Sequence, residues 1–122
     1  MNEILNFIIY IYNFTKPCDL LYIAIDGVAP RAKMQQQRYR RYKSSKEKED
    51  KKKILLKFNK KDDKNDWDTN AITPGTLFMI QLSKYLREEL PKQNLNVLEI
   101  LLTDANDIGE GEHKIFNYIR NN

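Results

Sequence analysis

The 122-residue chain has one cysteine, one tryptophan, four glycines and four prolines, and no apolar run long enough to cross a bilayer. A single thiol, Cys18, makes no internal disulfide and supplies no zinc site, which excludes disulfide-stapled secreted mini-proteins and zinc fingers and fits a reducing compartment. The apolar stretch Ile4 to Phe14 is too short to span a membrane, is interrupted by Asn6 and Asn13, and has no basic leader before it, so neither a secretory nor a transmembrane segment is expected. No internal repeat is visible. The length suits one domain, and a hydrophobic fraction of 41% permits a single core.

The charge is separated along the chain. Arg31 to Lys53 holds eleven basic residues against three acidic ones, a net of +8 that leaves −4 for the rest of a chain whose total is +4. Such a separation favours an anionic partner on one element.

Hydrophobic periodicity predicts the order α, β, α, α, β, α. Residues 3 to 14 place Ile4, Ile8, Ile11 and Tyr12 at helical spacing, a mostly buried helix that Pro17 stops. Leu20 to Ile25 is an apolar run without alternation, the pattern of a parallel strand covered on both faces, ended by Asp26-Gly27. From Arg31 to Phe58 there is no Gly, no Pro and no clean apolar stripe, which reads as a long basic helix projecting into solvent. Asn59 to Asn70 is a polar loop with Trp67 as its anchor. Thr73-Pro74 offers a capping residue and a first-turn proline for a helix carrying Phe78, Leu82, Tyr85 and Leu86, and Pro91 ends it. Val97 to Leu102 is a second strand, and Gly111 to Ile119 a last helix. Alternating strands and helices point to a parallel α/β sheet whose site lies at the carboxyl ends of the strands, where Asp26 and Asp104 fall.

Three groups of residues carry chemistry. Asp26 before glycine is read equally as a turn residue or a ligand. Glu110 and Glu112 flank one glycine in Gly109-Glu110-Gly111-Glu112-His113, so both carboxylates can address one hard divalent cation; a charged helix start is the plainer alternative. Lys33, Gln37, Arg40 and Arg41 fall within an arc of roughly 100° on one helix face, a donor set suited to a terminal phosphate. Lys43 to Lys53, with acids interspersed, reads as a solvated face. His113 is assigned a supporting or capping hydrogen bond, and Cys18, Trp67, Phe78 and Tyr85 are assigned to packing.

The strings IAIDGVAPRAKMQQQRYRRY (23–42), WDTNAITPGTLFM (67–79) and TDANDIGEGEHKIFNYIR (103–120) resemble, in order and spacing, three successive signatures of the XRN family of 5′-to-3′ exoribonucleases. The combination of DGVAPRAKM, ITPGT and GEGEHK is highly specific, and the resemblance covers nearly the whole chain outside its lysine-rich stretch. Departures are Gln35, Tyr39 and Ile108, where the family usually has asparagine, a small residue and proline; none removes a functional side chain. The resemblance implies residues 1–122 as part of an XRN N-terminal nuclease domain, with 43–66 a lysine-rich helix and loop insertion, on an incomplete PIN or flap-nuclease-like Rossmannoid core.

It further implies metal-dependent hydrolysis of 5′-monophosphorylated RNA to mononucleotides. Asp26, Glu110 and Glu112 would be catalytic ligands of Mg2+ or Mn2+, and Lys33, Gln37, Arg40 and Arg41 would hold the 5′-phosphate. The family's D-x-N-G and D-x-D aspartate motifs do not occur here, which implies a piece of a larger catalytic polypeptide whose remainder is a partner. The alternative is a non-catalytic RNA-binding or interaction fragment. A branched-DNA flap nuclease is disfavoured by GVAPRAKM, no membrane association is expected, and Thr103-Asp104-Ala105 resembles the nuclear branch more than the cytoplasmic one.

Overall fold

The computed structural model describes residues 1–60 and 67–122. Six main elements follow the expected order: α1 (Asn2–Thr15), β1 (Leu20–Ala24), α2 (Arg31–Lys57), α3 (Leu77–Glu89), β2 (Glu99–Thr103) and α4 (Gly111–Asn121), with single 3-10 turns at Thr69–Ala71 and Leu90–Lys92. The chain divides into two compact units, Met1–Ala29 with Ala71–Asn122, and Pro30–Asn70. Residues 61–66, the latter part of the expected 43–66 insertion, lie outside the described residues.

In the first unit β1 and β2 pair in parallel, from Leu20 opposite Glu99 to Ala24 opposite Thr103. A parallel pair needs a crossover connection, which the intervening helices supply. Alternation along the strands divides their side chains between two faces. Ile23, Ile25 and Leu102 join a core with Leu5, Met79, Leu82, Leu86, Leu90 and Ala105, so α1 and α3 cover one face. On the other, Tyr22 meets Tyr118 of α4 edge to face at 5.3 Å, and its hydroxyl lies 3.3 Å from Thr103 Oγ1. The sheet is thus helix-covered on both sides, but every residue of β1 is only half-buried. Among the described residues the sheet has two strands, so each has a neighbour along one edge alone.

Local chemistry explains the boundaries. α1 ends with Lys16 in the left-handed region at φ 47°, its N–H donating to Tyr12 O at 2.7 Å, and Pro17 follows where a helix cannot continue. α3 begins later than Thr73-Pro74 predicts. Pro74 and Gly75 occupy the centre of a tight turn in which Thr76 N donates to Thr73 O at 3.1 Å, and Gly75 at φ 85° adopts the left-handed geometry that the third residue of a type II turn requires. Thr76 is the true cap, accepting from Met79 N. The buried stripe of α3 is accordingly Met79, Leu82, Ser83 and Leu86; Phe78 and Tyr85 flank it, half-buried against the core. Ser83 Oγ is buried without a hydrogen-bond partner.

Three packing expectations are overturned. α1 buries Leu5 alone, while Phe7, Tyr10, Ile11 and Phe14 stay exposed, because α3 and the sheet meet only one side of it. Trp67 is 52% exposed. Cys18 is exposed in the turn before β1, its thiol near Lys16 O. No helix among the described residues is long and apolar enough to cross a membrane.

Asp104 is a structural anchor. It is buried, its Oδ2 accepts from Arg87 Nη2 at 2.8 Å, and its Oδ1 accepts from Asn106 N. Burial alone would push this carboxyl up, but the Arg87 hydrogen bond, the Asn106 amide and the Arg87 charge together hold it below its ordinary value of 3.8. A carboxyl depressed in the folded state contributes stability that is present above its unfolded pKa and lost as pH falls through its folded one. In Arg87→Met the carboxyl keeps its burial and the Asn106 amide but loses the guanidinium, so its depression is reduced. Urea unfolding of parent and variant should therefore differ most at neutral pH, with the gap shrinking below pH 3.8; a gap independent of pH would contradict this role.

Candidate metal and nucleic-acid site

The carboxyl ends of the two strands are joined by their backbones. The ladder runs one residue past β1, with Ile25 N donating to Thr103 O at 2.9 Å, and then Gly27 N donates to Gly109 O at 2.8 Å. This seam brings the Asp26 loop against the loop that leads into α4. Asp26 Oδ1 accepts from Gly111 N at 2.6 Å, capping α4 from a different element. The helix has no cap from its own Glu110, so Asp26 satisfies one of the free N–H groups of its first turn.

Glycine is required for so close an approach. A Cβ on Gly111 would lie 2.7 Å from Ala24 O and 3.2 Å from Asp26 Oδ1, and one on Gly27 would lie 1.9 Å from Asp107 O. Gly111 therefore does more than separate two glutamates: its bare Cα lets α4 start against the end of β1.

Glu110 and Glu112 stand on either side of this contact. Glu110 is 7% exposed and Glu112 is open to solvent. One carboxylate oxygen from each and a ring nitrogen of His113 all lie within 4.8 Å of one another, and His113 Nδ1 is 3.8 Å from Glu110 Oε2. Donors about 2.1 Å from a common octahedral ion lie about 3.0 Å apart when adjacent and about 4.2 Å when opposite, so side-chain movement on the order of an ångström would let the three meet one cation. Asp26 is not in this trio; its carboxylate is tied to Gly111, between the two glutamates.

The basic residues belong to the second unit. α2 has no buried residue and no acidic residue in its first turn, where Arg31 and Lys33 stand. Lys33, Gln36, Gln37 and Arg40 line one concavity of about 200 Å³. Arg41, half-buried, is not among its lining residues, so the structure gathers three of the four expected phosphate ligands and adds Gln36. Farther along, Lys53 pairs with Glu49 at 2.8 Å and Lys43 with Glu47 at 3.9 Å, both exposed.

Residues 1–122 match the family model described as the XRN 5′-3′ exonuclease N-terminus. The chain belongs to this family. Among curated relatives, it is 46% identical to the 5′-3′ exoribonuclease 2 of Gallus gallus over 98% of its length, and 43% identical to the homologue of Caenorhabditis elegans over 96%. The homologue of Drosophila melanogaster is 42% identical over 90%. The chain spans about 14% of the length of each.

Two features of this XRN chain were not legible as site chemistry in the sequence. His113, expected to make a supporting or capping hydrogen bond, places a ring nitrogen near both glutamates; a histidine three residues after Glu110 shares its helix face, which is the available signal. Lys114 is buried, and its Nζ donates to Ile25 O at 2.8 Å and to Asp104 O at 2.7 Å. Its place one turn after Glu110 gave a direction but no indication of burial.

The seam makes a direct prediction. Gly111→Ala should cost about 1–3 kcal/mol, the usual penalty for overpacking, and weaken the Asp26 contact. Urea unfolding and the amide shift of residue 111 measure both effects, and an unchanged midpoint would mean that the two loops part freely.

Proposed function

We propose that this chain supplies part of the active site of a 5′-to-3′ exoribonuclease acting on 5′-monophosphorylated RNA, with Mg2+ or Mn2+ as cofactor. The observation that carries the reading is the convergence of Glu110, Glu112 and His113 at the start of α4, beside Asp26 at the end of β1. The donor chemistry fits the ion. Carboxylate oxygens suit Mg2+, which keeps several waters when few protein ligands are offered, and Mn2+ also accepts an imidazole nitrogen. A bound divalent cation would supply charge stabilisation at the phosphate and an activated water.

The chain's own residues divide the remaining work. Glu110, held in the buried wall, fixes the ligand geometry, while exposed Glu112 and His113 leave the site open to substrate. Asp26 keeps the α4 start in place. On α2, Lys33, Gln37, Arg40 and Arg41 are the proposed 5′-phosphate ligands. Their setting supports this: Lys33, Gln37 and Arg40 line one concavity near the start of α2, and Lys33 stands in its first turn, where the helix dipole also favours an anion. A 5′-terminal phosphate is an anion of the size and charge that this donor set suits. The Thr103-Asp104-Ala105 triplet goes with a nuclear enzyme.

The lack of any buried residue in α2 favours a second reading in one respect, since such a helix could hold phosphate backbone without cleavage. The two readings separate on 5′ chemistry. Arg40→Ala and Arg41→Ala should each lose about 1.5–3 kcal/mol of the preference for 5′-phosphate over 5′-hydroxyl RNA, read by filter binding. Discrimination as strong as the parent's would remove the pocket assignment.

The metal assignment has its own test. Residues 1–122 can replace the matching segment of a relative such as the Gallus gallus 5′-3′ exoribonuclease 2, giving a complete polypeptide. In that chimera Glu110→Gln and Glu112→Gln should abolish release of mononucleotides yet retain RNA binding, because neutral amides are poor ligands for a hard cation. Near-parental turnover in Mg2+ would refute it.

A further inference from the structure

Among the described residues Lys114 is the one buried cation, 8% exposed, and the chemistry proposed above makes no use of it. Its ammonium donates to two main-chain carbonyls, Ile25 O at 2.8 Å and Asp104 O at 2.7 Å. Ile25 immediately precedes Asp26. Asp104 follows the last residue of β2 and opens the loop that leads to Glu110. Lys114 itself sits one helical turn after Glu110, its N–H donating to Glu110 O at 3.0 Å. One side chain therefore ties together the end of β1, the end of β2 and the helix that carries both glutamates.

Stability is a poor reason for a lysine here. A desolvated ammonium is costly even when its protons find acceptors, and an apolar residue of similar length would commonly fill such a space with equal or better stability. What the apolar residue cannot do is hold two strand ends at fixed distances from one helix. A hydrogen bond is directional, and the three tetrahedral donors of an ammonium set angles as well as distances. Beyond Ile25 the regular ladder gives way to single contacts between the loops, Gly27 N to Gly109 O and Gly111 N to Asp26 Oδ1, and the Lys114 bridge adds the tie from both strand ends to the body of α4.

We propose that Lys114 is a positioning residue for the carboxylate cluster. By bridging Ile25 O and Asp104 O it holds the Asp26 loop and the helix start that bears Glu110 and Glu112 in a fixed relation, so that the glutamates can close on one divalent cation. The inference rests on the metal reading of those carboxylates and adds a supporting group that acts only through them. Partners behind metal ligands are characteristically worth about ten- to a hundredfold in affinity, which sets the expected size of the effect.

Mn2+ is the probe, followed by the loss of its free-ion electron paramagnetic resonance signal on titration with the 122-residue chain. The variants are Lys114→Met, which fills the space without donors, and Lys114→Gln, which keeps a shorter neutral donor. Circular dichroism and thermal melts report the fold in parallel. The expected result is a dissociation constant for Mn2+ raised tenfold or more in at least one variant that is folded at the assay temperature.

A purely structural lysine would lower the melting temperature and leave Mn2+ affinity of the folded chain at the parental value, and that result overturns the proposal. Failure of both variants to fold makes Lys114 a residue of the fold alone and overturns it too. Glu112→Gln is the control that separates the two readings. If the parent binds no Mn2+, or Glu112→Gln binds it as the parent does, the metal reading falls and this inference with it; if Glu112→Gln loses Mn2+ while both Lys114 variants keep it, only the positioning role falls.

Discussion

The approach of two backbones at the carboxyl ends of β1 and β2 governs the rest of the site. Gly27 N donating to Gly109 O, and Asp26 capping Gly111, require main chains closer than any Cβ would permit. Once that approach is made, Asp26 has little freedom, α4 has one starting point, and Glu110 and Glu112 fall to either side of it. Electrostatics follows from sterics here. The helix start is positive through its free N–H groups, and the carboxylates gather where that field favours them. A chain with bulkier residues at 27 or 111 would have to separate the strand ends and, with them, the ligands.

Much of this was legible because it is carried by local signals. Apolar runs of strand length gave both strands, Pro17 and Pro91 marked helix ends, and glycines beside acids pointed to the strand termini. What escaped has a common cause, namely that it depends on partners distant in the chain. Thr73 and Thr76 are equally good caps in sequence, and Gly75 decided between them through the turn it forms with Pro74. Asp104 resembles a site residue at a strand end, yet Arg87, seventeen residues earlier, makes it an anchor. Lys114 reads as one more surface lysine until two carbonyls from separate strands are seen around it.

Packing was misjudged in the opposite direction. The apolar character of α1 predicts burial, but the described elements cover only the side that bears Leu5. Ile4, Ile8 and Ile9 lean against the core, while Phe7 and Tyr10 stack on each other in solvent with ring centres 6.2 Å apart. Composition states how much apolar surface a helix has; it does not state how many neighbours will arrive to cover it. The same reasoning, applied to α2, succeeded because a helix without an apolar stripe has nothing to bury.

That property of α2 bears on how the sequence can change over time. No side chain of its 27 residues is buried, and its order rests on propensity and on pairs such as Lys53 with Glu49 one turn apart. Its length is therefore not registered against any packed layer. Beyond the turns that bear Lys33 to Arg41, a mutation that inserts or deletes residues would displace no buried side chain of the helix, at the modest cost of a longer or shorter run of solvated helix. The first three turns are fixed by angle, since a single inserted residue would rotate Arg40 by about 100° relative to Lys33. The helix thus joins a segment in which every residue is counted to one in which drift is nearly free.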